Sequence, residues 1–418
     1  MGQGAMLVLA WRNLWRHRSR TWIVGSAIAL SYALFLVVIS IEDYSHVEMR
    51  AKAERMVGGA LRVEGEGFTA TRALEHRVPG GEALARRLAE MPEVVATRPV
   101  VELSALLSSP QNNAGGEVLG ADPESWPDLL DDLELSLGEG VVFSPGDPHH
   151  IALTRPLARD LRVGLGDRVV LTLSDPQGEV VRALFFVGGL LDVGPAGIDR
   201  LGLLSLEAAQ LAGGLGDAVT GIGVQLSEPG RRFALRDTVA QVVLAERPGA
   251  SIEVLTWDEV LPELVAMLEV DHASTVVFLM VVFLIVVFAI ANTMLMSVLE
   301  RVREFGLLGA MGLRPSALLR LVFLEGLLMT SAFMLCGLVV ALAAHVAIAT
   351  FGIPVGDEGL AFETADVRIA DTAVYSAIVV PHWAKASLMV FVLSMASSLY
   401  PAFRAMRLEP TEAMRTWK

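Results

Sequence analysis

The sequence holds a single cysteine, Cys336, only three lysines, and no Gly-Lys dipeptide. One cysteine excludes an intrachain disulfide framework. A P-loop places lysine directly after glycine, so the chain has no P-loop ATPase site of its own. HExxH is absent, and no Cys/His cluster has metal-ligand spacing. Ser144 is followed by Pro145 rather than set in a nucleophile elbow. His149-His150 falls in a Pro/Gly/Asp loop and reads as solvated. The expectation is no catalytic residue, no metal site and no cofactor held by this chain. Charge is also scarce, at 19% of residues against about 25% in a soluble domain.

What is abundant is apolar: 53% of residues are hydrophobic, and the mean hydropathy is +0.53. Four runs are long enough to cross a bilayer, which takes about 20 residues. They are 22–41, 273–299, 321–349 and 386–403. The first is longer than a signal-peptide core and lacks a following A-x-A site, so it reads as an uncleaved anchor. Arginines mark one side. Arg12, Arg16, Arg18 and Arg20 precede the first run. Arg301, Arg303, Arg314 and Arg320 lie between the second and third, and Arg404, Arg407 and Arg415 follow the fourth. The positive-inside rule then puts both termini and the 300–320 loop in the cytoplasm.

The segment 42–272 falls on the other side. From Glu42 to Asp271 it carries 37 acids against 19 Arg and Lys, a balance of −18 in a chain of net −14. That acidity argues against nucleic acid. Its ends read as helices, Glu42–Val57 and Asp258–Val270, which adjoin the first two runs as a stalk. Between them the pattern is mixed. Strands are expected at Ala60–Glu64, Val94–Leu107, Arg168–Leu173, Val180–Val187 and Gly221–Leu226. Helices are expected at Gly81–Glu90 and Ser205–Leu215, and Asp175-Pro-Gln-Gly178 is a turn. Gln111–Gly116 and Phe143–His150 read as surface loops. The fold class is thus an α-helical membrane protein of four transmembrane helices, with an α+β extracytoplasmic domain inserted between helices 1 and 2. The remaining divisions are an interface helix at 1–21, an outer loop at 350–385 and a tail at 404–418.

Three features invite a functional reading. Residues 7–20 are amphipathic, with Trp11 and Trp15 one turn apart, Leu7 and Leu14 near the same face and Arg12 and Arg16 flanking; this fits a helix in the membrane interface. The loop after the second run sets Glu300, Arg301, Arg303 and Glu304 beside Phe305, Gly306 and Gly312. Such a short charged helix suits docking to a partner, with glycines allowing close approach or a bend. Inside the apolar runs, Glu325 is costly and reads as structural, Asn292 as a packing residue and His345 as solvated. At the stalk base, Val260, Leu264, Met267 and Leu268 are candidates for a cargo-facing surface, with packing as the alternative.

The layout resembles the ABC-transporter permeases of the MacB/LolC/LolE/FtsX type, with LolC and LolE nearest in length. The carrying pieces are Ala10-Trp-Arg-Asn-Leu-Trp-Arg-His-Arg-Ser-Arg20, Glu300-Arg-Val-Arg-Glu-Phe-Gly-Leu-Leu-Gly-Ala-Met-Gly312, Val163-Gly-Leu-Gly-Asp167 within 151–188, and Tyr400-Pro-Ala-Phe-Arg-Ala-Met-Arg-Leu-Glu-Pro-Thr-Glu-Ala-Met-Arg415. The resemblance implies a bacterial inner-membrane permease that pairs with a second permease copy, identical or related. It implies two copies of a separate P-loop ATPase, which bind ATP and Mg. Glu300, Arg301, Arg303, Glu304, Phe305, Gly306 and Gly312 would then lie at the ATPase contact. The implied activity is mechanotransmission: ATPase motion drives release of lipoproteins or other lipophilic cargo. The alternatives are control of a periplasmic cell-wall hydrolase, as in FtsX, or a role in efflux, as in MacB. The acidic 350–385 loop departs from any pattern we can map.

Overall fold

The apolar runs do form helices, and three of them extend well beyond the hydrocarbon length. In the computed structural model, α1 spans Gln3–Arg16 and α2 spans Arg18–Val57, so the first apolar run and its polar extension are one 40-residue helix. The described residues are 3–16, 18–142, 148–194, 198–300, 302, 304, 307, 314–354, 362–364, 367–369 and 373–406. Two compact units are present. The helical unit comprises 1–46, 268–353 and 374–418; the α+β unit comprises 47–267 and 354–373.

In the α+β unit, ten strands form one sheet. They are β1 Leu61–Gly65, β2 Val94–Ser108, β3 Asn113–Ala121, β4 Leu135–Gly140, β5 His150–Thr154, β6 Arg168–Ser174, β7 Val180–Val193, β8 Leu201–Ser205, β9 Gly221–Leu226 and β10 Ile252–Thr256. One part runs β10-β1-β9-β2, with every neighbour antiparallel. Helix α3 (Phe68–Thr71) and helix α4 (Gly81–Ala89) connect β1 to β2. A helix over Arg232–Glu246 connects β9 to β10. This is the split β-α-β arrangement of ferredoxin-like sheets. The helix at 232–246 buries Leu235, Val239 and Val243, one turn apart, and α4 buries Leu84 and Leu88.

The second part is a closed ring. The first half of β2 pairs with β9, but Leu106–Ser108 at its far end pair with β6. Pairing continues β6-β7-β5-β8-β3 and returns to β2. Closure leaves these six strands without a free edge. Alternate residues Val169, Leu171 and Leu173 are buried along β6, the period expected of a strand with one apolar face. Gln111–Gly116, expected as a loop, is corrected here. The turn is confined to 109–112, and β3 begins at Asn113. Gly120 of β3 is there for close approach: a Cβ on it would lie 2.2 Å from the Ala209 Cβ. Residues 143–147 of the other expected loop lie outside the described residues.

In the helical unit, α2 and the long helices Pro262–Glu300, Pro315–Phe351 and Val380–Met406 share one core. Tyr32, Phe35 and Leu36 of α2 pack with Leu279 and Phe283, Ala341, and Trp383, Ala386 and Val390. The expected helix at 258–270 is interrupted. The turn Trp257–Val260 closes at Leu261, and Pro262 starts the next helix at the position where its missing N–H costs nothing. Among the described residues, three helices are long and apolar enough to cross a membrane: Thr21–Val57, Pro262–Ile285 and Ser316–Phe351. The fourth expected run lies in the helix Val380–Met406, which is not among the three.

Candidate functional site

The arginine-rich end of the helical unit is built around α1. Ala10 and Leu14, one turn apart, face inward. Ala10 packs with Val298, Leu318, Leu321 and Val322, and Leu14 packs with Val24, Ile28 and Phe333. Trp11 and Trp15 point away and are 48% and 39% exposed, against 7% for Leu14. This corrects the expectation that Leu14 shares the tryptophan face: one residue is 100° on a helix, so 10/14 and 11/15 are separate stripes. The Trp11, Trp15, Trp22 and Phe333 rings follow one another edge to face, with centroids 5.9, 6.4 and 5.6 Å apart. Phe333 is buried, but the three exposed tryptophans beside arginines have the composition of a membrane-interface anchor.

The charged loop meets this helix. Arg16 Nη1 lies 2.8 Å from Glu304 Oε1, an exposed pair. Such a pair contributes about 0.2–1 kcal/mol and is screened by salt, so it positions more than it stabilises. Glu300 is the exposed last residue of the helix Pro262–Glu300. Arg301, Arg303, Phe305, Gly306 and Gly312 lie outside the described residues. The chain re-enters the unit at Arg314, with Pro315 in the first turn of the next helix. Glu325, ten residues on, is buried. The sequence reading missed Arg16 as the partner of Glu304. Local spacing carries no signal for a contact across 288 residues.

The four stalk residues separate. Val260 is only 5% exposed, held with Ala53, Val57 and Trp257. The reading of Val260 as cargo-facing is therefore corrected: its side chain is packing. Leu268 is also buried, whereas Leu264 and Met267 are half-buried. Around them, the Thr256 and Glu259 side chains form a capping box, and the Arg232 guanidinium lies over the Phe233 and Trp257 rings.

The most concentrated polar chemistry of the α+β unit lies on β1 and β2. Arg62 donates to Glu64 at 2.9 Å and to Glu102 at 2.7 Å; Arg72 also donates to Glu102. Arg62 and Glu64 are buried. Both guanidiniums approach the Phe68 ring. Burial alone would push the Glu102 carboxyl up, but Arg62 and Arg72 outweigh it and hold it below the ordinary carboxylate range. Glu117 has no guanidinium hydrogen-bonded to it among the described residues: burial pushes it up, against the Ser104 hydroxyl that donates to it at 2.8 Å and the more distant Arg72 charge. Beside this network an open cleft of about 380 Å³ is lined by residues including Arg72, Ser104 and Asp175. The charges are spent on one another. Among the described residues, no three His, Cys, Asp or Glu side chains converge as metal ligands would. His345, expected as solvated, is half-buried, with Nδ1 2.9 Å from Ser376 Oγ and its ring against Trp383.

Comparison with known proteins places these features. Residues 276–410 match the family described as FtsX-like permease C-terminal. The chain is 26% identical over 344 residues to the lipoprotein-releasing system transmembrane protein LolC of Xylella fastidiosa strain 9a5c, covering 78% of each chain. It is 23% identical to the protein of the same name from Neisseria meningitidis serogroup B, covering 77% of this chain and 78% of that one. Among solved structures it is similar to the periplasmic region of MacB from Actinobacillus actinomycetemcomitans, with a TM-score of 0.36, 12% identity and coverage of 49% and 92%. It is also similar to the extracellular domain of the transporter YknZ from Gram-positive bacteria, with a TM-score of 0.34, 13% identity and coverage of 47% and 99%. Residues 276–410 thus carry an FtsX-like permease domain, and the chain as a whole is similar to LolC proteins.

Proposed function

We propose that the chain is the membrane subunit of a mechanotransmitting ABC transporter that releases lipoproteins, or similar lipophilic cargo, from the bacterial inner membrane. The observation that carries this reading is the likeness to lipoprotein-releasing LolC proteins over 78% of both chains. Four helices cross the membrane, both termini face the cytoplasm, and the acidic α+β unit faces the periplasm. The arginine distribution supports that orientation. ATP and Mg are bound by two copies of a separate ATPase, and a second permease copy completes the transporter.

The ATPase docks at the segment that starts at Glu300, where Glu304 meets α1, with Arg301, Arg303, Phe305, Gly306 and Gly312 in the same segment. The Arg16–Glu304 pair supports this, because it ties the segment to a helix anchored by its own tryptophans. Cargo contacts fall to Leu264 and Met267, the stalk residues that keep exposed surface.

Affinity purification from native membranes in mild detergent, followed by mass spectrometry, tests the proposal. Recovery of a P-loop ATPase together with lipoproteins is expected. An ATPase with a cell-wall hydrolase, or with an outer-membrane channel, would replace the lipoprotein reading by a scaffold or efflux role. Absence of any ATPase would overturn the coupling assignment. Arg301→Glu with Glu304→Arg should weaken recovery of the ATPase, and more so at high salt.

A further inference from the structure

One polar cluster is not used by the transport reading. It lies about 36 Å along α2 from Arg18, at 1.5 Å per residue, just beyond the apolar run. Three imidazole–carboxylate pairs stand there, each joining two helices. His272 Nδ1, on the helix Pro262–Glu300, is 2.6 Å from Glu42 Oε1 on α2. His382 Nδ1, on the helix Val380–Met406, is 2.5 Å from Asp43 Oδ1 on α2. His46 Nε2 on α2 is 3.8 Å from Asp271 Oδ2, and the His46 and His272 rings are 6.0 Å apart. Thus α2 is tied to both neighbours by the same chemistry.

Burial gives the cluster its sense. Glu42 and Asp43 are each 11% exposed, whereas His272 and His382 reach in from the rim at 63% and 50%. Asp43 Oδ2 and His46 Nε2 are buried without a hydrogen-bond partner. Among the described residues, neither Glu42 nor Asp43 has an arginine or lysine partner. The other titratable groups on these helix ends are Tyr44, its ring tilted against Tyr375, the half-buried Glu48, the exposed Glu269 and Lys385, and His345, bonded to Ser376. Two adjacent, nearly buried carboxylates therefore depend on imidazoles for compensating charge. Imidazole is the side chain whose charge ordinarily changes between about pH 5 and 8.

We propose that Glu42, Asp43, His46, Asp271, His272 and His382 form a proton-operated clamp that fastens the helices Pro262–Glu300 and Val380–Met406 to α2. Below the imidazole range each pair is a charge-assisted contact, and the clamp is closed. As pH rises through that range the contacts lose their positive partner. Glu42 and Asp43 then repel each other and draw in water, and the helix ends part. Arginine in these positions would make the ties permanent; histidine makes them conditional on the proton concentration of the outer compartment. The inference goes beyond the transport reading and does not depend on it.

The test is hydrogen exchange by mass spectrometry on the full chain in lipid nanodiscs, at about pH 6 and pH 8, with rates converted to protection factors. Segments 40–48, 268–276 and 378–386 should be protected about fivefold more at the lower pH. The middle of the helix Pro315–Phe351 should show no such change. His46→Gln, His272→Gln and His382→Gln together should abolish the pH dependence and leave the ends as open as wild type at the higher pH. Glu42→Gln with Asp43→Asn should act in the opposite direction, keeping the ends closed at both values because the repulsion is gone. Equal protection of the wild type at both pH values would overturn the clamp. So would a pH dependence that survives in the triple histidine variant.

Discussion

Replacing Arg62 by methionine is the sharpest test of how the α+β unit is held together. Arg62 is buried and serves two carboxylates, Glu64 and Glu102. Glu102 keeps Arg72 after the change. Glu64 keeps only the Thr69 N–H, at 2.8 Å, as an alternative donor in an interior with no access to water. Removing one partner of a buried pair costs about 3–5 kcal/mol, and the surviving donors place this case near about 3. In a unit of about 150–250 residues each kcal/mol moves the melting midpoint by about 2–4 °C, so Arg62→Met should lower it by about 6–12 °C. Thermal unfolding of the full chain in detergent reports this through the buried Trp126 and Trp257, and hydrogen exchange at β1 localises it. The double variant Arg62→Met, Glu64→Leu removes the stranded charge and should recover to within about 1 kcal/mol of wild type, because well-packed apolar replacements of buried ion pairs are often neutral. A single variant that melts within about 2 °C of wild type would refute the reasoning. A double variant no better than the single would refute it as well.

Three further outcomes are expected. Glu117, pushed up by burial, contributes stability when protonated, and that contribution is lost as pH rises through its raised pKa; Glu117→Gln should therefore raise the melting midpoint at about pH 7.5 and lose the advantage at about pH 4. Glu102 runs the other way: its lowered pKa stabilises the fold above the ordinary carboxylate range, so wild type but not Glu102→Gln should lose stability as pH falls through that depressed value. A Cβ on Gly337 would lie 2.5 Å from the Ala29 carbonyl oxygen, so Gly337→Leu should force α2 from the helix Pro315–Phe351, seen as increased alkylation of a cysteine placed at Ala29.

Much of this fold was legible where periodicity is local. The long helices follow from unbroken apolar runs, and the strands β1, β2, β6, β7 and β9 from alternation between turn residues. Ring closure was not legible, because it depends on β2 changing partners along its length, from β9 at Val94–Val100 to β6 at Leu106–Ser108. No local pattern records that change. β3 was hidden by Gly115 and Gly116, which resemble a turn after the two asparagines but lie in register with Leu106 and Ala105 of β2. The site was half legible. Tryptophans and arginines announce an interface helix, but Leu14 and Trp11 cannot be assigned to lipid or to protein by hydropathy, since lipid tails are as apolar as leucine. Similarly, Val260 and Leu264 look alike in sequence, and only packing on Ala53 and Val57 separates them.

The same long helices decide where control over this protein is best exerted. After Gly25, α2 contains no glycine or proline, and the helix Pro262–Glu300 contains none after its first residue. Sharp kinks arise at such residues, so bending either helix mid-way would break backbone hydrogen bonds that no water replaces in an apolar setting. Motion is therefore concentrated in how one helix end moves against another. The Arg16–Glu304 pair and the His–carboxylate pairs at 42–46 occupy opposite ends of these rods. Both are weak and sensitive to the medium: the first is exposed at both partners and responds to salt, and the second is exposed at His272 and His382 and responds to pH. Weakness suits that position. A strong buried tie such as Arg62–Glu64 fixes a fold, whereas ties worth little more than thermal energy let a docking partner or a proton choose between two arrangements.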